Sequence, residues 1–234
     1  MGKTLKIRQR FFKIFLWLAV AFFGSSIFFV LLYKFVPPPV TPLMVIRLLE
    51  EPAKGQTHRL YKDWVPLSEI SPNLQTAVVA SEDNRFLQHF GFDMDAIGKA
   101  QEYNEKQKGK RLRGASTITQ QTAKNVFLWP QRSWIRKGLE VYFTFLIELT
   151  WSKRRIMEVY LNEIEMGKGI YGAEAASQAY YHKQASKLTR GEAALIAAIL
   201  PDPRRRNPTN PSAYLLERQQ WILWNMNNIG KIEY

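Results

Sequence analysis

The chain has no cysteine among its 234 residues and only three histidines. The absence of cysteine excludes disulfides, a thiol nucleophile, lipid attachment through sulfur and thiolate-held metal, so an oxidising compartment is permitted but not required. His58, His89 and His182 are far apart, and nothing has zinc-site spacing. There is no phosphate loop of the nucleotide-binding kind, no internal repeat and no series of alternating strands, which predicts a mainly α fold. Acidic residues are also scarce: 20 Asp and Glu stand against 33 Lys and Arg, a formal charge of +13. Such a chain is drawn to an anionic partner, whether nucleic acid, an acidic membrane surface or a phosphorylated substrate. With 46% hydrophobic residues it is no disordered polycation, and its length suits one domain of catalytic size plus an appendage.

Charge is missing altogether from residues 14–33, Ile14 to Tyr33. About 20 such positions cross a hydrocarbon core of roughly 30 Å as a helix. Lys3, Lys6, Arg8, Arg10 and Lys13 precede them, so the positive-inside rule holds residues 1–13 in the cytoplasm and places everything after Tyr33 across the membrane. A cleaved signal peptide would have a shorter apolar region and a small-x-small cleavage site, and a buried soluble helix would not be apolar on every face. Pro37, Pro38 and Pro39 then form a stiff spacer. Residues 34–65 read as a proline-containing linker and connecting region, with Met44 to Leu49 either a short strand or a short helix, and residues 66–234 as the main domain.

Ser71-Pro72 is a helix start, and Leu74, Ala77, Val78 and Ser81 continue it to Glu82 and Asp83. Adjacent carboxylates at a helix end are usually solvated, but a partly desolvated one has a raised pKa and becomes a useful proton acceptor or donor. Phe86, His89 and Phe90 are expected to fold back over this end, with His89 a hydrogen-bonded residue fixing the turn in preference to a metal ligand. Lys106, Lys108, Lys110, Arg111 and Arg113 form a basic loop that also suits anionic headgroups, at about 1 kcal/mol per basic residue. Beyond Gly114, Thr117 and Gln120 have capping-box spacing, and Thr117, Gln121 and Lys124 share one helical face. That polar ridge ending in a cation suits a pocket for hydroxyls and phosphates.

After Pro130 a helix carries Leu139, Phe143, Leu146 and Ile147 as an apolar stripe, with Arg136 and Glu140 four apart, an ordinary surface pair were the helix alone. Trp129, Trp134, Tyr142, Phe143, Phe145 and Trp151 suit core packing and the bilayer interface equally. Ser152 caps a further helix through Ile156, Val159 and Tyr160. A small-residue helix is expected over Ala173 to Tyr181, a buried one over Ala193 to Leu200 behind a Thr189/Glu192 capping box and stopped by Pro201 and Pro203, and an amphipathic one from Pro211 to about Asn227.

In order, Glu82-Asp83-x-x-Phe86-x-x-His89-x-Gly91, Gly114-x-Ser116-Thr117-Ile118-x-Gln120-Gln121, Lys124-Asn125, Arg136-Lys137-x-x-Glu140 and Tyr160-Leu161-Asn162 closely resemble the membrane-bound peptidoglycan glycosyltransferases. The resemblance runs from about Asn73 to Pro208. It implies a lysozyme-like helical glycosyltransferase domain behind one N-terminal transmembrane helix, in monofunctional form, since no Ser-x-x-Lys of a penicillin-sensitive transpeptidase occurs. It implies polymerisation of lipid-linked disaccharide-peptide (lipid II) into β-1,4 glycan strands, with inversion and release of polyprenyl pyrophosphate. Glu82 is then the general base and Glu140 the second essential carboxylate, which could position Arg136, bind a metal or aid the leaving group. Lys124 and Arg132 match pyrophosphate contacts. Ser116, Thr117, Gln121 and Asn125 line the cleft, and Asp83, Phe86, His89, Gly114 and Arg136 complete the expected substrate-binding set.

A divalent cation, magnesium or manganese, bound with the pyrophosphate, is implied as a helper. So are membrane lipids and cell-wall synthesis and division proteins as partners, and an inner-membrane location with a periplasmic catalytic domain. Nucleic acid is not expected, because most basic residues lie outside the cytoplasm. Tyr181-His182 stands where the family has Phe-Gly, a departure that bears on packing. The rivals are a lysozyme-like lytic enzyme, which needs neither pyrophosphate contacts nor a lipid-side anchor, and a non-catalytic membrane scaffold, which would be indifferent to Glu82→Gln.

Overall fold

A computed structural model describes residues 2–50, 60–107, 114–131 and 133–234. Lys108, Lys110, Arg111 and Arg113 of the basic run, His58, and Arg132 lie outside the described residues. The chain divides into two compact units, residues 1–37 and 38–234. The first is one helix, α1 (Gly2–Tyr33), of which Arg8–Tyr33, 26 residues with a mean hydropathy of 2.4, is long and apolar enough to cross a membrane.

The second unit is helical with a small sheet. Met44 to Leu49 belongs to a helix, α2 (Pro42–Leu49), because Thr41 caps the Met44 amide and Pro42 supplies the first helical position. Strand β1 (Tyr61–Lys62) follows, then a 3-10 turn at Leu67–Glu69 and α3 (Pro72–Glu82), α4 (Met94–Lys106), α5 (Ile118–Phe127), α6 (Trp134–Thr150) and α7 (Lys153–Glu163). Strands β2 (Glu165–Gly167) and β3 (Ile170–Tyr171), then α8 (Ala173–Tyr181), α9 (Arg190–Ile199) and α10 (Ala213–Ile229), complete the chain. The sheet has the order β1-β3-β2, with β1 parallel and β2 antiparallel to β3.

Two helix groups hold the site. In one, α3 packs on α9 and α10 packs on both. Ala193, Ala194, Ala197 and Ala198 of α9 let the backbones approach, while Leu74, Val78 and Ile196 fill the space between. In the other, α5 packs on α6 and α7, around Ile118, Ala123, Phe143, Ile147 and Ile156. The region's aromatics divide accordingly. Phe143 and Trp151 are buried, whereas Trp134, Ile135, Val141, Phe145 and Leu149 form an exposed stripe along the outer face of α6. Phe90 does not fold over the end of α3; it is exposed and meets Phe145 edge-on at 6.2 Å.

The end of α7 ties down the segment that enters α3. Asn162 exchanges hydrogen bonds with Val65, Oδ1 accepting from the amide and Nδ2 donating to the carbonyl at 3.0 Å each, and Glu158 accepts from the Leu67 amide at 2.9 Å. Lys62 donates to Glu163 at 2.6 Å and to the Pro38 carbonyl at 2.5 Å. Gly172, at φ 84°, permits the turn into α8, since a Cβ there would lie 2.6 Å from the Asn162 carbonyl oxygen.

Candidate active site

The adjacent carboxylates at the end of α3 part company. Asp83, the C-cap, turns inward: Oδ1 meets His89 Nε2 at 2.8 Å and Oδ2 accepts from the Ile118 amide at 3.0 Å. It thereby pins the first amide of α5 to the C-cap of α3. His89 is therefore a turn-fixing residue whose side chain is 8% exposed, and Phe86 is fully buried. Asp83, Phe86 and His89 thus sit in the wall behind the cleft.

That wall is braced by a second polar cluster. Thr117 closes its capping box with Gln120 and donates to the Gly91 carbonyl at 2.7 Å. Lys153 donates at 2.7 Å to both the His89 carbonyl and Glu148, which also accepts from Thr119. Gly91 has φ 74°, and a Cβ there would come within 2.7 Å of Thr144 Cγ2 and 2.9 Å of Glu148 Cγ. Only glycine lets the turn pass so close to α6.

Glu82 stays on the cleft side, partly buried. Gln121, from the second turn of α5, donates through Nε2 to Glu82 Oε2 at 2.7 Å, and Tyr160 of α7 donates to Gln121 Oε1 at 3.3 Å. Burial raises the Glu82 pKa; the Gln121 bond and the cations Arg218 and Lys124 oppose that, while Asp83 adds to it. Lys124, one turn further along α5, is shifted down by burial and by Arg136 and Lys137, against the pull of Glu140 and Glu82. Each of the two groups feels the other's charge, and Gln121 and Lys124 of the ridge expected along α5 are partly exposed, whereas Thr117 is buried and turned to the Gly91 carbonyl.

Glu140 is no surface residue. It is 3% exposed, and its two oxygens are taken by Arg136 Nη1 at 2.9 Å and Lys137 Nζ at 2.5 Å. An open cavity of about 770 Å³ lies between α4 and the start of α5, with Gly114, Ser116, Gln120 and Lys137 on its wall. Lys137 joins this cavity to Glu140. Gln121 and Lys124 lie partly exposed beyond it, and Asn125 is buried.

Sequence reasoning missed Tyr160, Lys137 and Arg218 as neighbours of the site. Lys137 had a signal, its three-residue spacing from Glu140 on a helix. Arg218 had none: it lies on α10, donates to the Ser81 carbonyl at 3.3 Å across 137 residues of sequence, and stacks on Trp221 at 3.9 Å.

Among the described residues, Asp83, His89 and Asp93 bring possible metal-ligand atoms within 4.8 Å of one another. Both Asp83 oxygens are already accepting, and Asp93 caps α4 through the Ala96 amide at 2.9 Å, so this donor set fits a hydrogen-bonded turn. Glu140, held between two cations, likewise has no oxygen without a partner to offer a metal.

Residues 50–227 match the family model described as Transglycosylase. The chain is 60% identical over 214 residues to a protein of Bacteroides thetaiotaomicron, covering 92% of this chain and 86% of that one. It is 60% identical over 202 residues to one of Bdellovibrio bacteriovorus, covering 86% and 80%. With one of Shewanella oneidensis it shares 51% over 223 residues, covering 94% of each. All three are named biosynthetic peptidoglycan transglycosylase.

Proposed function

We propose, from the premise that this chain belongs to the transglycosylase family and is a lysozyme-like peptidoglycan glycosyltransferase, that Glu82 is its general base and Lys124 its principal leaving-group cation. What supports this reading is that Glu82, held by the Gln121 amide at 2.7 Å, lies near enough to Lys124 for each to shift the other's proton affinity.

The substrate is lipid II together with a growing strand carried on polyprenyl pyrophosphate. Glu82 accepts the proton of the acceptor sugar's 4-hydroxyl as that oxygen bonds to the anomeric carbon of the strand. The bond from that carbon to the pyrophosphate oxygen breaks on the opposite face, so configuration inverts and a β-1,4 link results. A hydroxyl is a weak nucleophile and needs such a base. The departing diphosphate gains negative charge, and Lys124 meets it where the charge develops. Arg132 is assigned to the same diphosphate because it matches a pyrophosphate-contacting position of the family. Glu140 holds Arg136 and Lys137 in position, and Ser116 and Gln121 line the path of the sugars, while Asn125, expected there, is buried. Asp83 and His89 serve the site through the turn they fix, with Phe86 packed beneath it.

A magnesium or manganese ion would arrive with the pyrophosphate and be held mainly by its oxygens. Such an ion would supply further neutralisation of the diphosphate. The α1 helix anchors the protein in the inner membrane with residues 1–13 cytoplasmic and the catalytic unit periplasmic, beside its lipid-tethered substrates. The exposed α6 stripe with Phe90 enters the bilayer interface. Cell-wall synthesis and division proteins are the expected partners.

Purified protein given lipid II, with and without chelator, tests the reading. The expected products are glycan polymer and polyprenyl pyrophosphate, with chelator slowing the reaction without abolishing it. Degradation of preformed strands in place of polymer formation would overturn it.

A further inference from the structure

Tyr160 is buried on α7, and its hydroxyl meets Gln121 Oε1 at 3.3 Å. The other end of that amide donates to Glu82 Oε2 at 2.7 Å. An ionised carboxylate only accepts hydrogen bonds, so the amide must turn its NH2 to Glu82, and its carbonyl then faces α7, where only a donor satisfies it. Tyr160 is that donor. Burial, with the carboxylates Glu82 and Asp83 nearby, holds its phenol well above the ordinary range, so the O–H is retained. Hydrogen bonds therefore run one way across three helices, from α7 through α5 to α3.

We propose that Tyr160 is a positioning residue for the transfer step: its O–H fixes the Gln121 amide in one of two orientations, reserves Glu82 Oε2 for that amide, and leaves Oε1 as the atom that takes the acceptor's proton. This rests on Glu82 being the base. Without the hydroxyl, the amide carbonyl has lost its donor on α7, so the Gln121 side chain loses its second anchor and can swing away from Glu82 toward another donor. The terminal torsion of a glutamate is broad, so the carboxylate then loses its single orientation. The other charged groups that act on Glu82 are Arg218 of α10, Lys124 of α5 and the adjacent Asp83. Removing one hydroxyl from α7 alters none of them, and a change in the pH profile therefore reports the amide.

The test is Tyr160→Phe in the full chain, assayed on lipid II across pH beside wild type, Gln121→Ala, Tyr160→Phe/Gln121→Ala and Glu82→Gln, with an unfolding temperature for each. Expected in Tyr160→Phe is a fall in kcat of about tenfold, the size of one hydrogen bond, with KM within about twofold. The acidic limb of the kcat profile should also move to higher pH, because the donor that favours ionised Glu82 is lost. In the Gln121→Ala background the second substitution should change neither quantity. An unmoved acidic limb in Tyr160→Phe overturns the proposal, as does a loss of full size in the Gln121→Ala background; either makes the hydroxyl a matter of packing. Full activity in Glu82→Gln would instead remove the base itself. An inactive Glu82→Gln beside a wild-type-like Tyr160→Phe rejects only the positioning role.

Discussion

At the scale of single residues, Glu82 and Asp83 are consecutive, yet one helix end sends them to different tasks. Among the described residues, the Asp83 side chain has two hydrogen bonds and that of Glu82 has one, while the charges of Arg218 and Lys124 act on Glu82. Because burial raises the Glu82 pKa, the base loses its proton only above the ordinary glutamate range, and activity should disappear as pH falls through that raised value. A profile of kcat against pH checks this. Lys124→Ala should move that acidic limb further up, since Lys124 lowers the Glu82 pKa, and should cut kcat by about 10²–10³ through lost leaving-group stabilisation. His182 gives an independent residue-scale result. It ends α8 at φ 55°, a left-handed conformation that glycine adopts at no steric cost. His182→Gly should raise stability by roughly 0.5–1 kcal/mol in chemical denaturation, as relief of αL strain exceeds the added freedom of the unfolded chain.

At the scale of elements, the caps made the site readable. Ser71-Pro72 and the Thr117/Gln120 box fix where α3 and α5 begin, hence which faces Glu82, Gln121 and Lys124 present. The sheet was not readable, because strands of two or three residues contain no alternation to detect. Tyr160 and Asn162 share a motif but serve different neighbours, one reaching Gln121 and the other Val65. Only the packing of α7 on α5 separates those roles. Gly91→Ala should destabilise the protein by about 1–3 kcal/mol, seen as a lowered denaturation midpoint, because the turn, Thr144 and Glu148 have no room to yield. Lys62→Met strands Glu163, whose pKa is pushed up to about 7 by burial even beside the cation. A carboxyl with a raised folded pKa weakens the fold as pH rises from its unfolded value through the folded one. The variant should therefore be close to wild type near pH 5 and clearly less stable near pH 8, by chemical denaturation at the two pH values.

At the scale of the whole molecule, the charge of +13, the apolar α1 and the exposed stripe on α6 all fit the proposed work on an anionic lipid-linked substrate at a bilayer. Composition gave the first two; the third needed the fold, because Phe143 and Phe145 are alike in sequence and opposite in burial. The absence of cysteine makes a probe at one introduced thiol unique. An environment-sensitive label on Phe145→Cys should shift to the blue when the protein enters vesicles of bacterial lipid, and one on a residue of the exposed α4 surface such as Glu102→Cys should not. The measurement that bears most directly on the central assignment is the rate at which folded, membrane-inserted Glu82→Gln extends a strand from lipid II. A loss of about 10²–10⁴-fold with the unfolding temperature unchanged is expected of a general base, and polymerisation at the wild-type rate would contradict it.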